Sequence, residues 1–269
     1  MKRDVDIVII SDVHLGTYGC HAKELLNYLN SIRPKKLILN GDIIDIWQFK
    51  KRYWPKSHMK ILKKIIDLAS KKTKVYYISG NHDEMLRKFI PQKMGNLIFK
   101  NSLILNLGDK KIWIFHGDIY DFTMKTTKWL AMLGGHGYDL LILININLNK
   151  ILKKLGRDKV SFSKKIKNSV KKAVKFIGDF ENTIAEMAIN EKIDIVACGH
   201  IHQPIIKKIE TKNGNVIYMN SGDWIENLTS IEFHKGVFYI YKYDEKEFES
   251  QNEDFELNVF KYEDFKIEV

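Results

Sequence analysis

The chain has 269 residues, enough for one catalytic domain with an insertion and a full hydrophobic core. Its two cysteines exclude a disulfide framework and are compatible with a reducing cytosol, and the first residues lack a signal-peptide pattern, so we expect no secretion. The net charge of +11 favours anionic partners: phosphates, nucleic acid or an anionic membrane surface.

Five short runs of apolar, mostly β-branched residues predict buried strands, because each is bounded by glycine or polar turn residues. In chain order they are residues 5–10, 36–40, 75–78, 112–115 and 193–197. Helical stretches at 22–31 and 56–70 alternate with the first three, which predicts βαβ units and a covered sheet. In such sheets ligands bind beyond the carboxyl ends of the strands.

Each predicted strand ends at a short motif of metal-binding or acid–base side chains. The motifs are Asp12-Val-His14, Gly41-Asp42-Ile-Ile-Asp45, Gly80-Asn81-His82-Asp83, His116-Gly-Asp118 and Gly199-His200-Ile-His202. Carboxylate, amide and imidazole groups suit Mn, Fe or Zn, and the lack of thiolates excludes a sulfur-rich zinc centre. The sequence therefore predicts two divalent ions about 3.5–4 Å apart, which activate water against a phosphate ester. Asp45 is either an acceptor beside the ligands or a helix N-cap.

About 80 residues separate His116 from His200, far more than a crossover needs, so the sequence predicts a helical cap over residues 121–190. We expect cap helices at 122–133, at 138–155, and from Ser161 or Ser163 to about residue 190. The apolar residues 140–146 are too few to span a bilayer. They form the cap core, the wall of an apolar pocket or a membrane-surface anchor.

The third cap helix has an apolar face and a lysine face. Residues 150–175 contain eleven basic residues and one acidic residue. This basic segment is either a solvated helix face or a binding surface for phosphates, nucleic acid or an anionic membrane. Aromatic residues are not interleaved with the lysines, so no nucleic-acid partner is expected.

After His202 the sequence predicts two β-hairpins, with strands at 205–210 and 216–219 and at 230–233 and 237–243. We expect both hairpins to complete a second sheet, giving an α/β fold with a four-layer α/β/β/α sandwich of two mixed sheets. The predicted domains are a catalytic domain (1–120 and 191–243), the cap (121–190) and an acidic tail (244–269) with ten acidic residues and three lysines.

The five motifs, in this order and on strand ends, resemble those of the calcineurin-like metallophosphoesterases, from about residue 5 to about residue 235. The resemblance implies two divalent ions that share Asp42, with manganese as the expected metal. It assigns one ion to Asp12, His14, Asp42 and His202, and the other to Asp42, Asn81, His116 and His200. A hydroxide held between the ions would be the nucleophile.

The same resemblance implies two catalytic residues that do not bind metal. His82 would stabilise charge on the phosphoryl group or protonate the leaving oxygen. Asp83 would accept a hydrogen bond from His82 and fix its tautomer. Substrate contacts are expected from Asn81, Lys164, Lys167, Lys171, Tyr120 and Trp129, although the two aromatic residues are also compatible with core packing.

The helical insertion, followed by Gln203-Pro204 and Asn220-Ser-Gly-Asp-Trp224, resembles the UDP-2,3-diacylglucosamine diphosphatase group of lipid A biosynthesis. Members release UMP and 2,3-diacylglucosamine 1-phosphate, and their cap binds lipid. The resemblance implies the cytoplasm of a Gram-negative bacterium, with the basic cap peripheral on the anionic inner membrane. This chain departs from the group at His82, where the best-described members carry Arg, and at Gln203, where Arg is frequent. The alternative is a cytosolic phosphodiesterase or phosphatase acting on a soluble nucleotide or phosphoprotein.

Overall fold

Two mixed β-sheets form the framework of the protein in a computed structural model that describes residues 2–47, 53–123 and 162–249. The strands are β1 (Arg3–Ile10), β2 (Ile32–Asn40), β3 (Lys74–Ile78), β4 (Gln92–Met94), β5 (Leu97–Lys100), β6 (Leu103–Leu107), β7 (Lys110–Ile114), β8 (Ile195–Cys198), β9 (Ile205–Thr211), β10 (Gly214–Asn220), β11 (Thr229–His234) and β12 (Val237–Lys242). The helices are α1 (Ala22–Ser31), α2 (Lys56–Ala69), α3 (Phe162–Asn190) and α4 (Lys246–Glu249), with 3-10 turns at Glu84–Phe89 and Asp118–Thr123.

The first sheet has seven strands in the order β12-β11-β1-β2-β3-β5-β4. Strands β1, β2 and β3 are parallel neighbours, and their registers pair Ile10 with Leu39 and Asn40 with Ile78. The carboxyl ends of these three strands therefore lie side by side. Their apolar side chains are buried on both faces, as expected for parallel strands covered on both sides.

The second sheet has five strands in the order β6-β7-β8-β10-β9. Strands β7, β8 and β10 are parallel, while β6 and β9 are antiparallel edge strands. The first predicted hairpin is β9–β10 in this sheet. The two mixed sheets of the predicted α/β sandwich are thus present.

The second predicted hairpin corrects the expectation that both hairpins complete the second sheet. Strand β11 pairs antiparallel with β1, with Ile7 opposite Phe233, so β11 and β12 belong to the first sheet. The physical reason is the free edge of β1, which this hairpin covers. Phe233 and Phe238 then bury their rings together with Ile7 in the core between the sheets.

Two apolar cores hold the layers together. Between the sheets, Ile9 and Ile38 pack with Ile112 and Ile195. On the outer face of the first sheet, α1 and α2 bury Leu25, Leu29, Ile61 and Ile65, which recur at helical spacing.

The chain divides into two compact units, Met1–Asp118 with Ile184–Val269, and Ile119–Thr183. The helix expected from Ser161 or Ser163 to about residue 190 is present as α3. The expected helix at 138–155 and all but the first two residues of the one at 122–133 lie outside the described residues, as does the tail beyond residue 249. Within the part of the chain that is described, no helix is long and apolar enough to cross a membrane.

Candidate metal centre

The five sequence motifs converge at one edge of the first unit. Strands β1, β2 and β3 of the first sheet end there, as do β7 and β8 of the second. Side-chain amides join the loops: Asn40 Nδ2 donates to the carbonyl oxygen of Phe115 (3.0 Å), and Asn220 Nδ2 donates to that of Gly199 (2.7 Å). The loops after both sheets are thereby held against one another.

The side chains in these loops form three overlapping groups of candidate metal ligands, and the ligand atoms within each group lie within 4.8 Å of one another. Two groups match the predicted ligand sets: Asp12, His14 and His202, and Asp42, His116 and His200. The third joins His14 to Asp45 and His82. Asp42 Oδ2 lies 3.3 Å from His116 Nε2 and 4.0 Å from His14 Nε2, and therefore lies between the first two groups. This arrangement fits two ions that share Asp42.

Backbone amides orient both aspartates. His82 N donates to Asp42 Oδ1 (2.7 Å), and His200 N donates to Asp12 Oδ2 (3.0 Å). Each hydrogen bond uses one carboxylate oxygen and directs the other toward the imidazoles. Asp12 Oδ1 consequently lies 3.1 Å from His202 Nε2.

One of the histidines is held by a hydrogen bond behind it, and another faces a carboxylate there. The His116 ring places Nδ1 2.9 Å from the carbonyl oxygen of Asn40, so Nδ1–H donates and Nε2 is left to face the ligands. His202 Nδ1 lies 3.8 Å from Asp223 Oδ2. Sequence analysis missed Asp223 as a partner of His202, although its position just after β10 is the kind of strand end that carries the other motifs.

Some buried polar atoms at this edge lack a hydrogen-bond partner within the described residues. They include Asp12 Oδ1, His14 Nε2, His116 Nε2 and both amide atoms of Asn81. Burying such a group without a partner costs about 1–3 kcal/mol, so an orphan of this kind calls for an explanation such as an ion. A divalent cation would satisfy the imidazole nitrogen and the amide oxygen, and the residues present therefore fit a metal site.

Backbone strain is concentrated in the same loops. Five of the seven predicted ligands have φ between 53° and 68°, a region that residues other than glycine seldom adopt: Asp12, His14, Asp42, His200 and His202. Each costs about 1–2 kcal/mol relative to the right-handed region. Such conformations persist only where the surrounding structure enforces them, and they cluster at functional sites.

Two glycines permit the close packing of these loops. A Cβ atom at Gly41 would overlap the His116 ring, and one at Gly80 would overlap Asp42 Oδ1. Any side chain at either position would displace a candidate ligand. The glycines of the motifs therefore have a steric role in the site.

The electrostatics of the centre favour bound cations. Burial alone would raise the pKa of Asp12, but His202 and His116 hold that pKa below its usual range. Burial alone would lower the pKa of His116, but Asp42 and Asp12 raise it to about 10. Burial alone would also lower the pKa of His202, but Asp12 and Asp223 raise it to about 9. The same carboxylates that retain these protons would attract metal ions in competition with them.

His82 lies beside the candidate ligands and faces Asp45. Its Nδ1 is 3.0 Å from Asp45 Oδ2, and its Nε2 is 4.0 Å from Asp42 Oδ2. Asp45 Oδ2 also lies 3.5 Å from His14 Nδ1. Asp45 is therefore an acceptor beside the candidate ligands, as the first of its two interpretations has it. The ring of Trp47, which sequence analysis missed, packs on His82 with centroids 4.5 Å apart.

The prediction that Asp83 accepts a hydrogen bond from His82 is wrong. Asp83 is fully buried, and its carboxylate accepts from Tyr77 Oη (2.6 Å), Gly80 N (2.6 Å) and Ile43 N (3.0 Å). These bonds point the side chain beneath the loops, away from the His82 ring. Asp83 thus connects the Asp42 loop to the Asn81 loop. The acceptor beside His82 is Asp45, and not Asp83.

The cap residues expected to contact substrate do not belong to the unit that carries the candidate ligands. Trp129 lies outside the described residues. Tyr120 and the helix positions of Lys164, Lys167 and Lys171 belong to the second unit, Ile119–Thr183. Asp118 forms an ion pair with Arg87, with Oδ2 2.6 Å from Nη2. The substrate contacts expected of the cap residues remain predictions.

Comparison with known proteins supports the chemistry that the geometry indicates. The calcineurin-like phosphoesterase family model matches residues 5–204. The UDP-2,3-diacylglucosamine hydrolase of Blochmanniella pennsylvanica is 28% identical over 220 residues, covering 79% of this chain and 85% of that protein. The protein of the same name from Aliivibrio fischeri is 23% identical over 251 residues, covering 88% and 98%.

Among solved structures, the E. coli phosphoesterase Yfce is 12% identical, with a TM-score of 0.44, and the match covers 89% of this chain and 93% of that one. The family match spans most of the chain and contains every predicted ligand. The chain therefore belongs to the calcineurin-like phosphoesterase family, and it is a metal-dependent hydrolase of phosphoester or pyrophosphate bonds.

Proposed function

We propose that the protein hydrolyses the pyrophosphate bond of UDP-2,3-diacylglucosamine. Addition of one water molecule gives UMP and 2,3-diacylglucosamine 1-phosphate. The observation that carries the proposal is the paired ligand groups around Asp42, in a chain that covers 85% and 98% of two relatives named for this substrate. The helical α3, in the segment expected to form a lipid-binding cap, supports the same substrate class.

The chain's own residues would divide the chemistry as follows. Asp12, His14, Asp42 and His202 would hold one divalent ion, and Asp42, Asn81, His116 and His200 the other. When bound, the ions supply a water-derived nucleophile at neutral pH and offset the charge of the phosphates. Asp45 lies within hydrogen-bond distance of His82 Nδ1, which would leave Nε2 to face a bound phosphate, and a protonated ring would donate there to the leaving oxygen.

We further propose manganese as the native metal; the donor set of carboxylate, amide oxygen and imidazole suits that ion, as it also suits iron and zinc. A lipid-linked substrate also requires access to a membrane. The proposed location is therefore the cytoplasm, at the surface of an anionic bilayer, with the basic segment of residues 150–175 as one point of attachment.

Product analysis tests the proposal. Purified protein is incubated with UDP-2,3-diacylglucosamine in detergent, with and without Mn²⁺, beside soluble nucleotides and a generic aryl phosphodiester. The expected result is Mn²⁺-dependent release of UMP far above turnover of the panel. Turnover of the soluble compounds, without UMP release from the lipid-linked compound, would rule out UDP-2,3-diacylglucosamine as the substrate. It would favour the alternative, a phosphodiesterase or phosphatase that acts on a soluble substrate.

Two matched histidine variants distinguish a specific role of His82 from a general effect of replacing a histidine. His82→Gln is expected to lower UMP release by about 100-fold, within the range of general acid–base contributions. His21→Gln changes an exposed histidine and is expected to leave the rate unchanged. Equal rates for both variants would exclude the proposed role of His82.

A further inference from the structure

Helix α2 buries one side under the first sheet and exposes the other. Ile61, Ile65 and Leu68 are among its buried residues. The exposed side carries three lysines, two large apolar residues and one acidic residue: Lys56, Lys60, Lys63, Met59 (54% exposed), Ile66 (59% exposed) and Asp67. At 3.6 residues per turn these six fall within an arc of about 120°. We call this stripe the α2 face.

Positive charge continues past the end of the helix. Residues 56–74 contain seven lysines and a single acidic residue, Asp67. Burial, and after it the charges of Lys2 and Lys71, lower the pKa of Lys64. The lysines at this end are therefore close enough to repel one another, a cost that an anionic partner would remove.

An exposed aromatic ring lies beside the segment that leads into α2. Tyr18 is 76% exposed and packs on Tyr53, three residues before the helix, with ring centroids 3.9 Å apart. Gly16 N donates to His58 Nδ1 (2.9 Å), which fixes the Tyr18 loop to the helix. The first turn of α2 thus lies at the same edge of the sheet as the candidate ligands.

We propose that the α2 face, together with Tyr18, docks on an anionic lipid bilayer. The lysines would pair with anionic headgroups, and the exposed apolar side chains beside them would gain from partial burial at the headgroup boundary. Tyrosine is favoured at the same depth, where its ring is apolar and its hydroxyl is hydrated. A nucleic acid would use the lysines but gain nothing from Met59 and Ile66.

This surface goes beyond the proposed substrate, because docking through α2 does not require that the substrate be lipid-linked. It lies entirely within the first unit and consists of other residues than the basic segment at 150–175. Docking would place the edge that carries the candidate metal centre beside the bilayer surface. A phosphorylated headgroup could then reach the centre without leaving the interface.

Vesicle cosedimentation of the full-length protein tests the inference. The probes are vesicles of phosphatidylcholine alone and of phosphatidylcholine with phosphatidylglycerol, and only the anionic vesicles are expected to bind the wild type. Lys60→Gln with Lys63→Gln should weaken binding about 30-fold. Met59→Gln with Ile66→Gln leaves the charge unchanged and should weaken it about tenfold.

The control is Lys93→Gln with Lys212→Gln, two exposed lysines on other elements that give the same net charge. It should bind as tightly as wild type. Equal losses in the control and in the α2 variant would show that only total charge matters and would overturn the inference. Loss of vesicle binding only in the triple variant Lys164→Gln, Lys167→Gln and Lys171→Gln would also overturn the inference.

Two further measurements distinguish membrane docking through α2 from nucleic-acid binding and from the proposed hydrolysis. Tight binding of duplex DNA that survives Met59→Gln with Ile66→Gln, without vesicle binding, would replace the membrane by a nucleic acid. UMP release from detergent-solubilised substrate should be unchanged in both α2 variants, because no α2 residue lies among the candidate ligands. A failed substrate assay therefore leaves the vesicle result interpretable.

Discussion

The first unit contains two buried clusters of charge, and they differ in how their hydrogen bonds are satisfied. Around Glu232 the cluster is closed: the carboxylate accepts two bonds from Arg3 (2.9 and 3.0 Å), one from Tyr28 (2.7 Å) and one from Tyr239. Around Asp42 the cluster is open, with orphaned atoms at His14 and Asn81.

The difference shows how a structural cluster can be told from a functional one. Glu232 is fully buried but has partners on both oxygens, so its charge is matched within the chain. The carboxylates near Asp42 are matched in part by protons on His116 and His202, whose pKa values are raised to about 10 and about 9. Where carboxylates rely on protonated histidines to balance their negative charge, divalent metal ions can replace those protons.

The largest expected effect comes from the shared ligand of the open cluster. Asp42→Asn keeps the shape of the side chain but removes the charge between the two ligand groups. Activity should fall by more than about 100-fold, because even partners behind the ligands are worth 10–100-fold. Mn²⁺ should no longer raise the Tm of the variant, as measured by calorimetry with and without metal. A preserved Mn²⁺ effect would show that Asp42 is not shared.

The closed cluster should respond in the opposite way. Glu232→Gln removes a charge that pairs with Arg3, whose side chain is one-fifth exposed, and should cost about 2 kcal/mol of unfolding free energy. Because the cluster holds no candidate ligand, the rise in Tm on adding Mn²⁺ should persist. Denaturant unfolding checks the first point and calorimetry the second. Loss of the Mn²⁺ effect would mean that the two clusters are coupled.

A smaller effect is expected at the edge of the open cluster. Asp45→Asn should lower kcat about tenfold, at nearly unchanged metal content, because His82 and His14 lose the acceptor that orients them. Kinetics on the lipid substrate and elemental analysis measure the two quantities. A drop in metal content equal to the drop in kcat would place Asp45 among the ligands.

The most subtle expected effect is a pH dependence that only the open cluster shows. The pKa values of His116 (about 10) and His202 (about 9) lie above pH 8, so without metal both rings are protonated there. Binding of Mn²⁺ must release a proton from each, and the apparent affinity should rise with pH until it passes these values. Calorimetric titration in buffers of different ionisation enthalpy counts the protons. Binding without proton release would contradict the raised pKa values.

The convergence of the candidate ligands could be predicted from the sequence because each of them follows a buried run of apolar residues. Asp12 after β1 and Asp42 after β2 are examples of this pattern, and parallel pairing then places them together. The partner of His82 could not be predicted in this way. Asp83 is its neighbour in sequence, but the direction of the side chain depends on the Tyr77 and Gly80 groups beneath it.

Sheet membership depends on equally distant information. Strand β11 pairs with β1, which lies more than 200 residues earlier in the sequence. The local sequence pattern of β11 therefore does not indicate which strand it pairs with. Strand β4 was not predicted because all three of its residues, Gln92–Met94, are exposed, which removes the apolar alternation that marks a strand. The cap contacts expected of Trp129 lie beyond the described residues and remain predictions.

The left-handed backbone of the ligands has a consequence for how the protein can change over evolutionary time. At His14 or His202, a glycine would remove a ligand and at the same moment relieve a conformation that costs about 1–2 kcal/mol. An inactive descendant could thus be more stable than its active ancestor. Selection for hydrolysis must act continuously against that gain, and thermal robustness alone is a misleading guide when variants of this enzyme are screened.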